Sequence, residues 1–192
     1  MPTLTPPPGQ IYQLKVTLKG SKPPIWRRVE VAATVTLAQL HEILQVTMGW
    51  YDSHLHQFVM GDVFYGLPDP DGWDDVEVCD ERLVKLNQLL NAPKQKLVYE
   101  YDFGDAWEHQ VVLEQILAPN PAITYPRCTT GKRACPPEDC GGIWGYASLL
   151  EAIHDVNHPE HADTLEWIGE DFDPEEFDLE AVNSLLQEEE DA

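Results

Sequence analysis

Five side chains in two short stretches have the chemistry of a site: His54 and His56, then Asp102, Asp105 and His109. Residues two apart on a strand point the same way, so His54 and His56 could offer two imidazoles to one ion. A carboxylate nearby could be a further ligand or orient an imidazole through its second nitrogen. Cys128, Cys135 and Cys140 follow, with six and four residues between them, in a stretch rich in Gly and Pro. Thiolates with one imidazole make a tetrahedral zinc site, and a loop poor in hydrophobic residues gains from such a staple. The compact C-x-x-C spacing is missing, so a fourth ligand would come from Cys79 or a histidine. Zinc is the cofactor these residues would take.

Each candidate also has a plain structural reading. His54, His56 and His109 share their faces with Phe58, Met60 and Trp107, and histidines there can be hydrogen-bonded core residues. Asp102 and Asp105 flank Gly104 and can do no more than cap its turn. The cysteines can be reduced, buried thiols.

The elements that must position these residues follow from periodicity. Ile11 to Leu18 alternates, with Tyr12, Leu14, Val16 and Leu18 on one face, and predicts a half-buried strand. A Gly-Ser-Lys-Pro-Pro break separates it from a second strand over Ile25 to Val31. Thr36 and Gln39 form a capping box for a helix whose stripe is Leu37, Leu40, Leu44 and Met48, stopped by Gly49. Leu55 to Met60 reads as the next strand, with a turn at Gly61-Asp62 into Val63–Tyr65. Pro68 to Asp75 reads as a solvated loop, since its acids lack the ligand order of an EF-hand. A short helix is expected over Arg82 to Leu90. Leu97 to Phe103 and Trp107 to Leu113 predict a hairpin about Gly104, with Leu97, Tyr99, Tyr101 and Phe103 on one face. Beyond the cysteine loop, read as Cys128 to Gly142, the pattern is helical. The fold class is α+β: a mixed, largely antiparallel sheet of hairpins packed by helices, with a helical C-terminal part. One domain is expected over residues 10–186, after a disordered leader (1–9) and before an acidic tail (187–192).

Charge limits the partners. The 34 acidic residues against 12 basic leave a formal −22, which argues against direct nucleic-acid binding because phosphate contacts need Lys and Arg. Such a surface attracts basic protein partners or divalent cations. Arg27 and Arg28 are strand neighbours facing opposite ways, so they cannot share a groove. No apolar run is long enough to span a membrane and no signal peptide is evident, which places the chain in the cytoplasm by default. P-loop, G-x-G-x-x-G and G-x-S-x-G patterns are absent, which leaves nucleotide-dependent chemistry and serine hydrolysis without a motif.

The same residues carry a family resemblance. Ile25-Trp26-Arg27-Arg28, Gly49-Trp50, His54-Leu55-His56-Gln57-Phe58 and the stretch from Tyr99 to His109 resemble the plasmid pRiA4b ORF-3-like family. So do Ala134 to Gly142, Gly145-Tyr146, Trp167-Ile168-Gly169 and Phe172-Asp173-Pro174. The family is uncharacterised and also occurs as passenger genes of insertion elements. The resemblance implies a compact α+β fold and a mobile-element setting, and it supplies no catalytic assignment. The strand-strand-helix-strand opening is similar to a β-grasp, a likeness of fold alone.

Three functional readings stand at this point. One is a binding or accessory module acting on a protein partner, with Trp50, Tyr101 and Trp107 lining a pocket and His54 and His56 at its rim. The second is a metal-dependent hydrolase with His54, His56 and His109 as ligands and Asp102, Asp105 or Glu138 positioning water. The third is a structural zinc loop at Cys128, Cys135 and Cys140.

Overall fold

In the computed structural model the chain is described over residues 9–68, 77–169 and 171–190. The proline-rich leader before Gly9 and most of the Pro68–Asp75 loop lie outside these residues.

Alternating apolar residues mark the interior strands of the sheet. In β1 (Ile11–Leu18), Tyr12, Leu14, Val16 and Leu18 are all buried. β1 pairs antiparallel with β2 (Trp26–Ala32), and Ser21 closes the connection: its Oγ donates to Leu18 O and accepts from Ile25 N. Helix α1 (Leu37–Met48) starts at the Thr36/Gln39 capping box and ends on Gly49 in the left-handed region, where a β-carbon would be strained. The box satisfies amide donors that the first turn would otherwise leave open, worth about 1 kcal/mol.

The chain continues through β3 (His56–Met60), β4 (Val63–Gly66), β5 (Val78–Asp80), α2 (Leu86–Leu89), β6 (Lys96–Tyr101), β7 (Trp107–Leu117) and β8 (Arg127–Lys132). It finishes with α3 (Gly142–His154), α4 (His161–Ile168) and α5 (Leu179–Glu190). The strands form one sheet in the order β5-β4-β3-β6-β7-β1-β2-β8, antiparallel except for β4 beside β5. The class is therefore α+β with a mixed, largely antiparallel sheet. Among the described residues no helix is long and apolar enough to cross a membrane.

Several expectations shift. The third strand begins at His56, so His54 stands in the turn before it and Leu55 is exposed. The helix expected over 82–90 shrinks to one turn: Arg82 is held by Asp80, Thr36 bridges to Lys85, and Leu83 faces solvent. Phe103 leaves the face of Tyr101 because Asp102 N donates to Leu55 O and the chain turns away. Cys128 lies in β8, paired with β2, and not in a loop. The run read as an acidic tail is partly helical: α5 continues to Glu190, with Leu186 buried and Gln187 Nε2 donating to Pro126 O.

Arg27 faces the core with Val29 and Val31, while Arg28 pairs with Glu114 on the opposite face. The buried guanidinium donates to Thr47 O at the end of α1 (2.8 Å), to Trp26 O and to Lys132 O, and it stacks on Phe177. Cationic donors at a helix C-terminus satisfy carbonyls that have no intrahelical partner.

Candidate functional site

Three segments meet at one end of the sheet. They are the 50–55 turn after α1, the 102–106 turn between β6 and β7, and the 136–141 segment before α3. Hydrogen bonds join them. Tyr101 Oη donates to Glu138 Oε1 (2.5 Å) and accepts from Ser53 N, Tyr51 N donates to Glu138 Oε1, and Trp50 Nε1 donates to Pro136 O. Asp105 Oδ2 accepts from Gly141 N (3.1 Å). Glycine is required at the start of α3: a β-carbon on Gly142 would lie 2.5 Å from Asp105 O, and one on Gly145 only 1.9 Å from Cys140 O.

Asp102 sits at the centre of this junction in the left-handed region (φ 57°), and its two oxygens have different tasks. Oδ1 accepts from Gly104 N (2.9 Å) and Asp105 N (3.3 Å), an Asx-type cap on the turn. Oδ2 lies 3.7 Å from His54 Nε2, whose other neighbour is Asp139 Oδ1 at 3.3 Å. The His54 Nε2 atom is buried and makes no hydrogen bond.

A second cluster lies deeper, between α1 and β3. His41 and His56 stack face to face with ring centroids 3.4 Å apart. His41 Nε2 meets Asp52 Oδ1 (2.9 Å), and His56 Nε2 meets both oxygens of the buried Glu81 (2.9 and 3.1 Å). Gln45 fixes the direction of the protons. Its Oε1 accepts from Asp52 N, so its Nε2 donates to Tyr99 Oη, whose own proton goes to His41 Nδ1 (2.8 Å). His41 is then the tautomer protonated on Nε2, donating to Asp52. Burial lowers the His41 pKa, the His56 charge lowers it further, and Asp52 opposes both.

His109 belongs to neither cluster. It is fully buried, edge-on to Trp50, with Nδ1 donating to Tyr99 O (3.3 Å), and burial pulls its pKa down to about 4. Among the described residues, no set of three ligand atoms within 4.8 Å of one another holds two of His54, His56 and His109. Alternation sends His54 and His56 to one side only if both are in the strand, and His54 is not.

The cysteines do not assemble either. Among the described residues no such set contains a sulfur. Cys128 Sγ points at Thr130 O, and its backbone is bracketed by Asn183 of α5. Cys135 Sγ packs against Met48 Sδ and the Arg27 guanidinium, and burial pushes its thiol up to about 11. Burial, with Asp105 and Asp139 nearby, pushes Cys140 up to about 12. All three are protonated at neutral pH.

Trp50, Tyr101 and Trp107 do come together, packed against one another. Trp50 stacks on Tyr101 at 5.0 Å and lies 6.0 Å from Trp107, and all three are buried. Of the three, only Trp50 borders a cavity of about 470 Å³, which is otherwise walled by Arg27, the ends of α1 and α5, Ala134–Glu138 and side chains between Ile168 and Asp178. Two further cavities of about 450 and 500 Å³ flank α3, and no histidine lines any of these three.

Sequence reasoning missed His41, Asp52, Glu81 and Asp139. For His41 a signal existed: it lies four residues after Leu37 and three before Leu44, on the buried stripe of α1, where an ionisable side chain needs a partner. The others sit in turns whose spatial neighbours no local pattern discloses.

The described elements match known proteins over nearly the whole chain. A 181-residue alignment, covering 94% of this chain and 92% of its counterpart, is 40% identical to the uncharacterized protein y4hQ of Sinorhizobium fredii (strain NBRC 101917 / NGR234). The crystal structure of the protein of unknown function MM3350 from Methanosarcina mazei Go1 superposes with a TM-score of 0.81. It is 40% identical, and the match covers 89% of this chain and 96% of that one. Residues 10–181 match the family described as plasmid pRiA4b ORF-3-like protein, so this chain belongs to the plasmid pRiA4b ORF-3-like family.

Proposed function

We propose that this chain is a binding or accessory module that takes a cationic, aromatic-bearing segment of a protein partner at the junction of residues 50–55, 102–106 and 136–141. One observation carries this reading. The three segments bring together five carboxylates, Asp52, Asp102, Asp105, Glu138 and Asp139, with no Lys or Arg among them. Beside these acids stand exposed Tyr51 (84%), Leu55 (69%) and Phe103 (49%).

Uncompensated carboxylates raise the local concentration of a cationic ligand, and exposed aromatic rings supply the contact area and a face for a guanidinium. The chain carries no Lys or Arg after Arg133, so its C-terminal third offers the junction no permanently cationic side chain. The mobile-element setting implied by the family fits a partner with basic segments better than direct contact with DNA.

The test uses a fluorescent peptide alternating arginine and tryptophan, with anisotropy read at low and physiological salt. Tyr51→Ser with Phe103→Ser should weaken binding at least tenfold, whereas Trp144→Ser, exposed on α3, should leave it unchanged. Equal binding by the junction variants and the wild type would refute this location.

A further inference from the structure

We propose that His54, Asp102 and Asp139 form a binding site for a first-row divalent transition-metal ion. The three offer one imidazole nitrogen and two carboxylate oxygens that all lie within 4.8 Å of one another. Neither carboxylate hydrogen-bonds the imidazole nitrogen, and the separations suit a shared ion: Nε2 stands 3.3 Å from Asp139 Oδ1 and 3.7 Å from Asp102 Oδ2. Ligands about 2.1 Å from a tetrahedral centre lie about 3.4 Å from each other.

The imidazole nitrogen is itself left unsatisfied. It is buried and has no hydrogen-bond partner, a state that costs free energy unless something else satisfies the lone pair or proton. The deeper histidine pair is the instructive contrast, because there both Nε2 atoms already meet carboxylates at hydrogen-bond distance.

The surroundings hold the ligands in place. Asp102 is fixed through Oδ1 by the turn amides, which leaves Oδ2 free for an ion. Asp139 follows Glu138, which Tyr101 and Tyr51 anchor. An imidazole in the set selects Mn²⁺, Co²⁺ or Zn²⁺ over Ca²⁺ and Mg²⁺, which prefer all-oxygen shells. Three protein ligands leave positions for water or for a donor on a bound molecule. Asp102 and Asp139 also belong to the acidic junction, so a bound ion would reduce the charge offered to a cationic partner, whereas Tyr51 and Phe103 contribute no ligand and distinguish the two tests.

The test is titration of the chelator-treated 192-residue chain with Co²⁺, followed by visible absorption and calorimetry, with Zn²⁺ and Ca²⁺ as competitors. One equivalent should bind, displaced by Zn²⁺ and not by Ca²⁺, and His54→Ala and Asp139→Asn should each weaken it at least tenfold. Asp139→Asn keeps the side-chain shape, and Asn tolerates the left-handed backbone found there (φ 58°), so the variant is expected to fold. The proposal is overturned if the wild type binds no better than these variants, or if binding is lost with His41→Ala or His56→Ala and retained in both of them.

Discussion

The imidazoles of His41 and His56 lie parallel within 3°, one against the other, each tied through Nε2 to its own carboxylate. Two cationic rings at that distance would repel in a poorly hydrated site, and burial together with the His56 charge lowers the His41 pKa. Replacing Glu81, which is 2% exposed, by Gln keeps a hydrogen-bond acceptor for His56, whereas Glu81→Leu leaves the imidazole unpartnered. The expected cost is about 1 kcal/mol for Gln and about 3 kcal/mol for Leu, read from urea midpoints of the two variants. Equal costs would mean that Glu81 matters for volume alone.

His109 sets a pH dependence. Its pKa is near 4 in the folded chain and about 6.5 when unfolded. Above pH 6.5 both states are neutral and the group contributes no slope. Between pH 6.5 and 4 the unfolded chain takes up the proton first, so stability falls as pH falls, by roughly 3 kcal/mol in total. Denaturation of wild type and His109→Leu across this window should give a difference curve of that sign. Parallel curves would remove His109 as the cause.

Tyr101 binds two of the three junction segments through one hydroxyl. Burial, reinforced by the Glu138 carboxylate, raises its pKa and keeps the phenol protonated, so it donates to Glu138 while accepting from Ser53 N. Tyr101→Phe leaves both partners short and is expected to lose about 2 kcal/mol of stability, measurable by chemical denaturation. A loss below about 0.5 kcal/mol would show that water replaces the hydroxyl at no cost.

Arg27 should resist its usual conservative replacement. Lysine cannot reach Thr47 O, Trp26 O and Lys132 O together, nor lay a planar cation on Phe177. Arg27→Lys is expected to cost about 3 kcal/mol and to lower the thermal midpoint by several degrees. Arg28→Lys, on the half-exposed face with Glu114, should cost less than 1 kcal/mol. Similar losses at the two positions would contradict the burial argument.

Gly145→Ala is expected to fail to fold or to lose more than about 3 kcal/mol, because the new methyl meets the fixed Cys140 carbonyl. Gly61→Ala is the control, with left-handed backbone but open space around the β-carbon, and about 1 kcal/mol should be lost. Soluble expression and thermal melts of the two distinguish steric from backbone cost.

Much of the sheet was legible because β1, β6 and β7 alternate cleanly, and α1 because its cap, stripe and stop agree. The turns that carry Asp102, Asp105 and Glu138 were legible too, since these residues stand in turn-forming sequence. Their assortment was not. His54 and His56 look like one ligand pair until Asp102 N takes the Leu55 carbonyl and the strand starts one residue later than the pattern suggests. Cys128 has the sequence context of a loop because Gly and Pro surround Cys135 and Cys140, yet it sits in a strand held by β2 and Asn183. Asp139 and Glu81 depend on contacts across 85 and 25 residues of chain, which local periodicity does not encode.

Asp102 gives the junction a built-in reporter. One carboxyl oxygen locks the amides of Gly104 and Asp105 while the other faces His54. Anything that draws Asp102 toward His54 must therefore share free energy with the opening of that turn. The exchange rate of two backbone protons with solvent deuterium would record occupancy at the imidazole, without any label on the ligand and without a chemical reaction to follow.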